Sequence, residues 1–123
     1  MTAGRVVVAD DEPAITELLV TILSFAGYDV ASAHDGEEAL RVTRDTHPDV
    51  VFLDVMMPKM DGRDVCRAIK RDAALRDTAV VLLSSADQDD VEWRAAGAAM
   101  FLQKPFDVRS LPEIVRKLTK ARR

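Results

Sequence analysis

The residues of this 123-residue chain best suited to chemistry are a pair of acids, a lone acid, two adjacent hydroxyls and a lysine. Asp10 and Asp11 follow the run RVVVA, Asp54 closes VVFLD, Ser84 and Ser85 follow AVVLL, and Lys104 stands between Gln103 and Pro105. Brought together, Asp10, Asp11 and Asp54 would crowd three carboxylates into one pocket, which is costly unless a cation is bound or a proton is taken up. Oxygen ligands suit a hard divalent ion, and Mg²⁺ accepts few protein ligands alongside waters and phosphate oxygens. A carboxylate is also a nucleophile toward phosphorus, giving an aspartyl phosphate. The negative charge of the transferring group then needs balancing. Lys104 suits that as a compact point charge, and the Ser84 hydroxyl can donate to a further oxygen. Simpler readings exist for single residues: a helix cap for Asp10 or Asp11, a solvated surface lysine for Lys104. Neither accounts for two adjacent acids after a buried strand, nor for a lysine before Pro105 at the end of a strand read as internal.

Hydrophobic periodicity supplies the elements that must hold these residues. Residues 5–9 are β-branched and continuous, as in a strand buried on both faces. Residues 13–26 place Ile15, Leu18, Leu19, Ile22 and Leu23 on one helical stripe, with Pro13 in the first turn and Gly27 as a left-handed cap. Residues 28–33 read as a second strand. Asp35 and Glu38 have capping-box spacing and open a helix that ends near His47-Pro48. Residues 50–53 form a third strand, ending on Asp54. Residues 62–72 are helical with Val65, Ala68 and Ile69 inward, and residues 79–83 are the fourth strand. A shortened fourth helix runs from about Asp89 to Gly97, and residues 100–103 are the fifth strand. Ser110 and Glu113 have capping-box spacing for a last helix, with Pro112 in its first turn.

Five such β-α units predict an α/β fold, a doubly wound parallel sheet with helices on both faces, because crossovers are right-handed. Sites of such sheets lie outside the C-terminal strand ends, which is where the residues singled out above fall. No linker, repeat or low-complexity stretch divides the chain, so one domain is expected over residues 1–123.

Composition narrows the function. Hydrophobic residues make up 48% and charged residues 31%, a globular balance rather than a disordered one. A formal net charge of −4 argues against direct nucleic-acid binding, which favours a basic face. The basic cluster Arg116, Lys117, Lys120, Arg122, Arg123 suits a helix C-terminus. Cys66 is the sole cysteine, so no intrachain disulfide forms, and its neighbours Val65 and Ile69 suggest a buried thiol. No apolar run has the length of a membrane span and no signal-peptide core opens the chain. A cytoplasmic location without a membrane partner is expected.

The segments VVVADDEP, FLDVMMPKMDG, VVLLSSA and FLQKPF, in this order, resemble the four signature segments of the response-regulator receiver domains of two-component signalling. The resemblance spans essentially the whole chain. It implies a CheY-like, flavodoxin-like sheet of order 2-1-3-4-5 with five helices. It further implies Asp54 as the phosphoacceptor, Asp11 and Asp54 as direct Mg²⁺ ligands, Asp10 acting mostly through water, and the Met56 carbonyl completing the set. Lys104 would pair with the phosphoryl group, and the Lys104-Pro105 peptide would be cis. Ser84 would be the switching hydroxyl; Ser85 remains the alternative, since each serine is followed by a small residue. A sensor histidine kinase, a phosphotransfer protein or a small phosphodonor would supply the phosphoryl group, and a protein effector or output domain would receive the signal. Such a domain is a signalling phosphoacceptor rather than an enzyme, catalysing only its own phosphoryl transfer and loss. His34 and His47 match no phosphohistidine site and read as surface residues.

The chain departs from the pattern twice. Phe101 stands where many relatives carry a switching tyrosine, so a hydroxyl-dependent movement there is not available. The spacing from Ser84 to Lys104 is a little short, which places a deletion in the helix around residues 89–96 and puts dimerisation through that helix in question. Competing readings are a pseudo-receiver signalling without phosphate, a dehalogenase-like phosphatase, and a flavin-binding protein. The phosphatase needs a second acid where this chain has Met56, and the flavin protein needs a phosphate loop where Asp10-Asp11-Glu12 would repel the ligand.

Overall fold

Strands β1 (Arg5–Ala9), β2 (Asp29–Ala33), β3 (Val50–Asp54), β4 (Ala79–Ser84) and β5 (Met100–Gln103) form one parallel sheet in the order β2-β1-β3-β4-β5. The computed structural model describes residues 3–86 and 92–121. The expected fold class and strand order are what the structure has. Parallel pairing requires a crossover after each strand; among the described residues these carry α1 (Pro13–Phe25), α2 (Gly36–Thr46), α3 (Gly62–Arg71) and α4 (Trp93–Ala96), and α5 (Leu111–Ala121) follows β5.

The two-residue period of the strands divides the core into two layers. Val6, Val8, Val50, Phe52, Val81 and Leu83 pack with Leu19 and Leu23 of α1 and Leu111 and Val115 of α5. Val7, Ala9, Val51, Leu53, Val80 and Leu82 pack with Ala39 of α2, Val65, Cys66 and Ile69 of α3, and Ala96 of α4. Burial on both faces is why β1, β3 and β4 read as unbroken apolar runs. Asp35 caps α2 as expected, its carboxylate accepting the Glu38 N–H at 2.8 Å.

Several local expectations are corrected. Leu18 is 42% exposed; the buried residues of α1 are Thr16, Leu19 and Leu23, because contact with one sheet face takes a narrower arc than the full apolar stripe. In α3, Cys66 rather than Ala68 takes the buried position beside Val65 and Ile69. Ser110 does not cap α5: a 3-10 turn (Val108–Ser110) precedes the helix, capped by Asp107, and the Ser110 hydroxyl donates to the Asp107 carbonyl at 2.6 Å. Strand β5 lies at the sheet edge, not inside it. The expected start of the fourth helix at Asp89 lies outside the described residues, and α4 ends where expected, with Gly97 at φ 96°. Among the described residues, no helix is long and apolar enough to cross a membrane.

Candidate functional site

Asp10 follows β1 directly and is fully buried. Its Oδ1 accepts the Glu12 N–H at 3.0 Å and its Oδ2 accepts from Lys104 Nζ at 2.8 Å. Its main-chain carbonyl accepts the Thr16 hydroxyl at 3.1 Å. Asp54 ends β3, almost completely buried, with Oδ1 3.5 Å from the same Lys104 ammonium. Lys104 is held by its own N–H, which donates to the Ser84 carbonyl at 2.8 Å, and the Lys104-Pro105 peptide is cis. The expected convergence of Asp10, Asp54 and Lys104 is therefore present, with the ammonium lying between the two carboxylates.

This crowding has an electrostatic signature. Burial, reinforced by the Asp10 charge, pushes the Asp54 carboxyl up to about 6, against the opposing pull of Lys104 and a hydrogen bond from the Met56 N–H. Burial alone would lower the Lys104 pKa, but the hydrogen bond from its ammonium to Asp10 and the Asp54 charge outweigh it, so the ammonium is held above its ordinary value. Buried charges persist only when paired in this way.

The loop after Asp54 is clamped by two glycines that leave no room for a side chain. The Gly62 N–H donates to the Val55 carbonyl at 2.9 Å, and a Cβ on Gly62 would lie 2.3 Å from the Asp54 carbonyl oxygen. The Gly36 N–H donates to the Pro58 carbonyl at 3.2 Å, and a Cβ there would lie 2.0 Å from the Met60 carbonyl oxygen. Met56, on this loop, is 71% exposed.

The carboxylates that group most tightly are not the expected three. Asp10, Asp11 and Glu12 each bring one oxygen within 4.8 Å of the others, and Asp54 is not among them. Lys104 bridges Asp10 and Asp54, one cation between two carboxylates, and so offsets only part of their charge; the acids of the β1–α1 turn remain the close group. Glu12 was not singled out from sequence, although it continues the run Asp10-Asp11-Glu12. The buried hydroxyl of Thr16 was also missed; its only signal was a polar residue among apolar helix positions.

Ser84 joins this group through its backbone bond to Lys104, and Phe101 lies on β5 opposite Leu82. By the strand period Ser84 shares a face with Val80 and Leu82, where Phe101 and Trp93 also pack. The Ser84 hydroxyl oxygen accepts the Ala86 N–H at 3.0 Å. Ser85 is exposed and lines a cavity of about 420 Å³ on the other face, with Glu12, Leu18, Lys104 and Phe106. His34 and His47 are exposed, and Cys66 is buried, its thiol donating to the Ala96 carbonyl at 3.3 Å and pushed up to about 11 by burial.

The response regulator receiver domain family matches residues 6–116. This chain belongs to that family. PilG of Pseudomonas aeruginosa is 40% identical to the receiver domain over 109 residues, covering 87% of this chain and 81% of PilG. The DNA-binding dual master transcriptional regulator RpaA of Synechocystis is 39% identical over 116 residues, covering 93% of this chain and 48% of RpaA. The chemotaxis response regulator CheY4 of Vibrio cholerae superposes with a TM-score of 0.87 at 29% identity, covering 96% of this chain and 99% of that one. The chain thus spans most of PilG but about half or less of RpaA and other curated relatives. Receiver domains of response regulators are signalling phosphoacceptors of two-component systems, not classical enzymes, and typically bind Mg²⁺ at an acidic site. The expectation of no nucleic-acid partner gains no support, since RpaA is named as DNA-binding.

Proposed function

We propose that this receiver domain is switched by phosphorylation of Asp54, and the observation that carries the reading is the buried Asp54 carboxylate 3.5 Å from the Lys104 ammonium at the C-terminal edge of the sheet. A carboxylate oxygen of Asp54 attacks phosphorus, the bond from phosphorus to the donor's leaving nitrogen or oxygen breaks, and imidazole or acetate departs with the electron pair. The donor is a sensor histidine kinase, a phosphotransfer protein, or a small phosphodonor such as acetyl phosphate. Lys104 keeps its proton and pairs with a phosphoryl oxygen.

The close carboxylates of the β1–α1 turn, with Asp54 joined to Asp10 through Lys104, offer only oxygen donors, which fits a hard divalent cation. Asp11, Asp54 and the Met56 carbonyl would hold Mg²⁺ directly, with Asp10 acting through water. When bound, the ion would offset the charge on the phosphoryl oxygens. Ser84 is the switching hydroxyl, moving from its bond with the Ala86 N–H toward the new phosphoryl oxygens. Phe101, lacking a hydroxyl, follows by packing alone. The signal passes to a protein effector or output domain, in the cytoplasm, with residues 1–123 acting as one domain.

Incubation with acetyl phosphate and Mg²⁺ should add one hydroxylamine-labile phosphoryl group by intact-mass analysis, and Asp54→Ala should abolish it completely. Absence of any adduct across a wide range of Mg²⁺ concentrations would establish the phosphate-independent reading instead.

A further inference from the structure

Helix α1 starts without a side-chain cap: its N-cap residue, Glu12, makes no capping hydrogen bond. A helix N-terminus leaves backbone donors unmet and is usually fastened by a cap. Here a different side chain spans the junction. Thr16 is 3% exposed, and its hydroxyl lies 3.3 Å from the Glu12 carbonyl and 3.1 Å from the Asp10 carbonyl. The first contact is the ordinary back-bond of a helical threonine. The second leaves the helix and ties its first turn to the end of β1.

With that bond every polar atom of Asp10 is engaged. Its N–H donates to the Ala33 carbonyl, its Oδ1 accepts from Glu12, its Oδ2 from Lys104, and its carbonyl from Thr16. Among the described residues, Thr16 is the one partner in this set that is a side chain outside the proposed site. Burying a hydroxyl is unfavourable unless it is hydrogen-bonded, so a threonine beside Leu19 and Leu23 is accounted for by what it holds.

We propose that Thr16 is a positioning residue, whose hydroxyl fixes the peptide between Asp10 and Asp11 and thereby aims both carboxylates for a divalent cation. The inference rests on the functional reading above. Removing the hydroxyl leaves a buried carbonyl without a partner, and that group turns toward water. Asp11 shares the peptide plane and turns with it. Partners that orient metal ligands typically change affinity by roughly tenfold or more when removed.

The test uses the whole chain and Mg²⁺ alone as the probe. Calorimetric titration should show that Thr16→Val raises the Mg²⁺ dissociation constant roughly tenfold, and that Thr16→Ser restores it. With acetyl phosphate, the Mg²⁺ concentration for half-maximal rate should rise in Thr16→Val while the rate at saturating Mg²⁺ stays that of the parent. The melting temperature without metal reports any purely structural loss separately. Thr16→Ala carries the same expectation should the valine variant fail to fold. Parent-like Mg²⁺ affinity in the hydroxyl-free variant, or no recovery in Thr16→Ser, overturns the inference alone. If the parent itself takes up no Mg²⁺, the metal-dependent reading falls and this inference with it.

Discussion

At the ends of β1 and β3 the acids leave strands that are paired on both sides and buried on both faces, and the turns behind them are closed by short backbone contacts. Beyond β4 the chain is built differently: α4 has four residues, β5 has four residues and lies half-buried at the sheet edge, and Glu92 opens the helix at φ 56°. Trp93 is half-buried there, with the Arg94 guanidinium 4.4 Å from its ring centre. The contrast teaches that a site whose buried charges are only partly compensated needs a rigid frame, whereas a region that responds is drawn from the less tightly held part of a fold.

The sharpest way to break the contrast is to make one change in both regions. Gly62→Ala should cost about 3 kcal/mol, since the new Cβ meets backbone that cannot yield. It should also slow Asp54 modification. Gly97→Ala should cost less, about 1–2 kcal/mol for its left-handed backbone, because the nearest atom it meets is a Lys70 side-chain carbon at 2.9 Å rather than backbone at 2.3 Å. Denaturant unfolding measures both; equal losses would mean the two regions are held alike.

Charge at Asp54 gives the next effect. A carboxyl raised from 3.8 to about 6 in the folded state keeps its proton where the unfolded chain has lost it. The folded protein then binds more protons, so its stability falls as pH rises through this window. Above it the full penalty stands, up to about 3 kcal/mol. Metal-free Asp54→Asn should therefore be more stable than the parent at neutral pH, and the difference should shrink toward zero near pH 4. Unfolding curves of the two proteins that coincide from pH 4 to pH 7 would contradict a frame under charge stress.

The smallest effect on stability lies at the join of the two regions. Ser84→Ala removes one buried acceptor and should cost about 1 kcal/mol. Its larger consequence is functional: Trp93 emission should change on phosphorylation of the parent and stay nearly constant in Ser84→Ala, while Asp54 remains modifiable. Ser85→Ala should behave as the parent. The opposite pattern would move the switching role to Ser85, which lies on the Lys104 side of the sheet.

Much of this was legible in the chain because it is governed by neighbours a few positions apart. The apolar runs of β1, β3 and β4, the Asp35 cap, and Asp54 at a strand end all follow from local period and local hydrogen bonding. Resemblance added the strand order. Less legible were features set by packing: Leu18 facing solvent and Ser110 turned back to Asp107.

The sequence by itself determined the alternation of strand and helix and which strand ends carry acids, hydroxyls and lysine, since side-chain period and backbone capping act within a turn or two. Only the tertiary structure decided that Lys104 would bond Asp10 across 94 residues, that Glu12 rather than Asp54 would complete the close group of carboxylates, and that Ser84 would share a face with Phe101. Those outcomes depend on strand register and on how crossovers stack their loops, and neither is encoded in any short stretch of the chain.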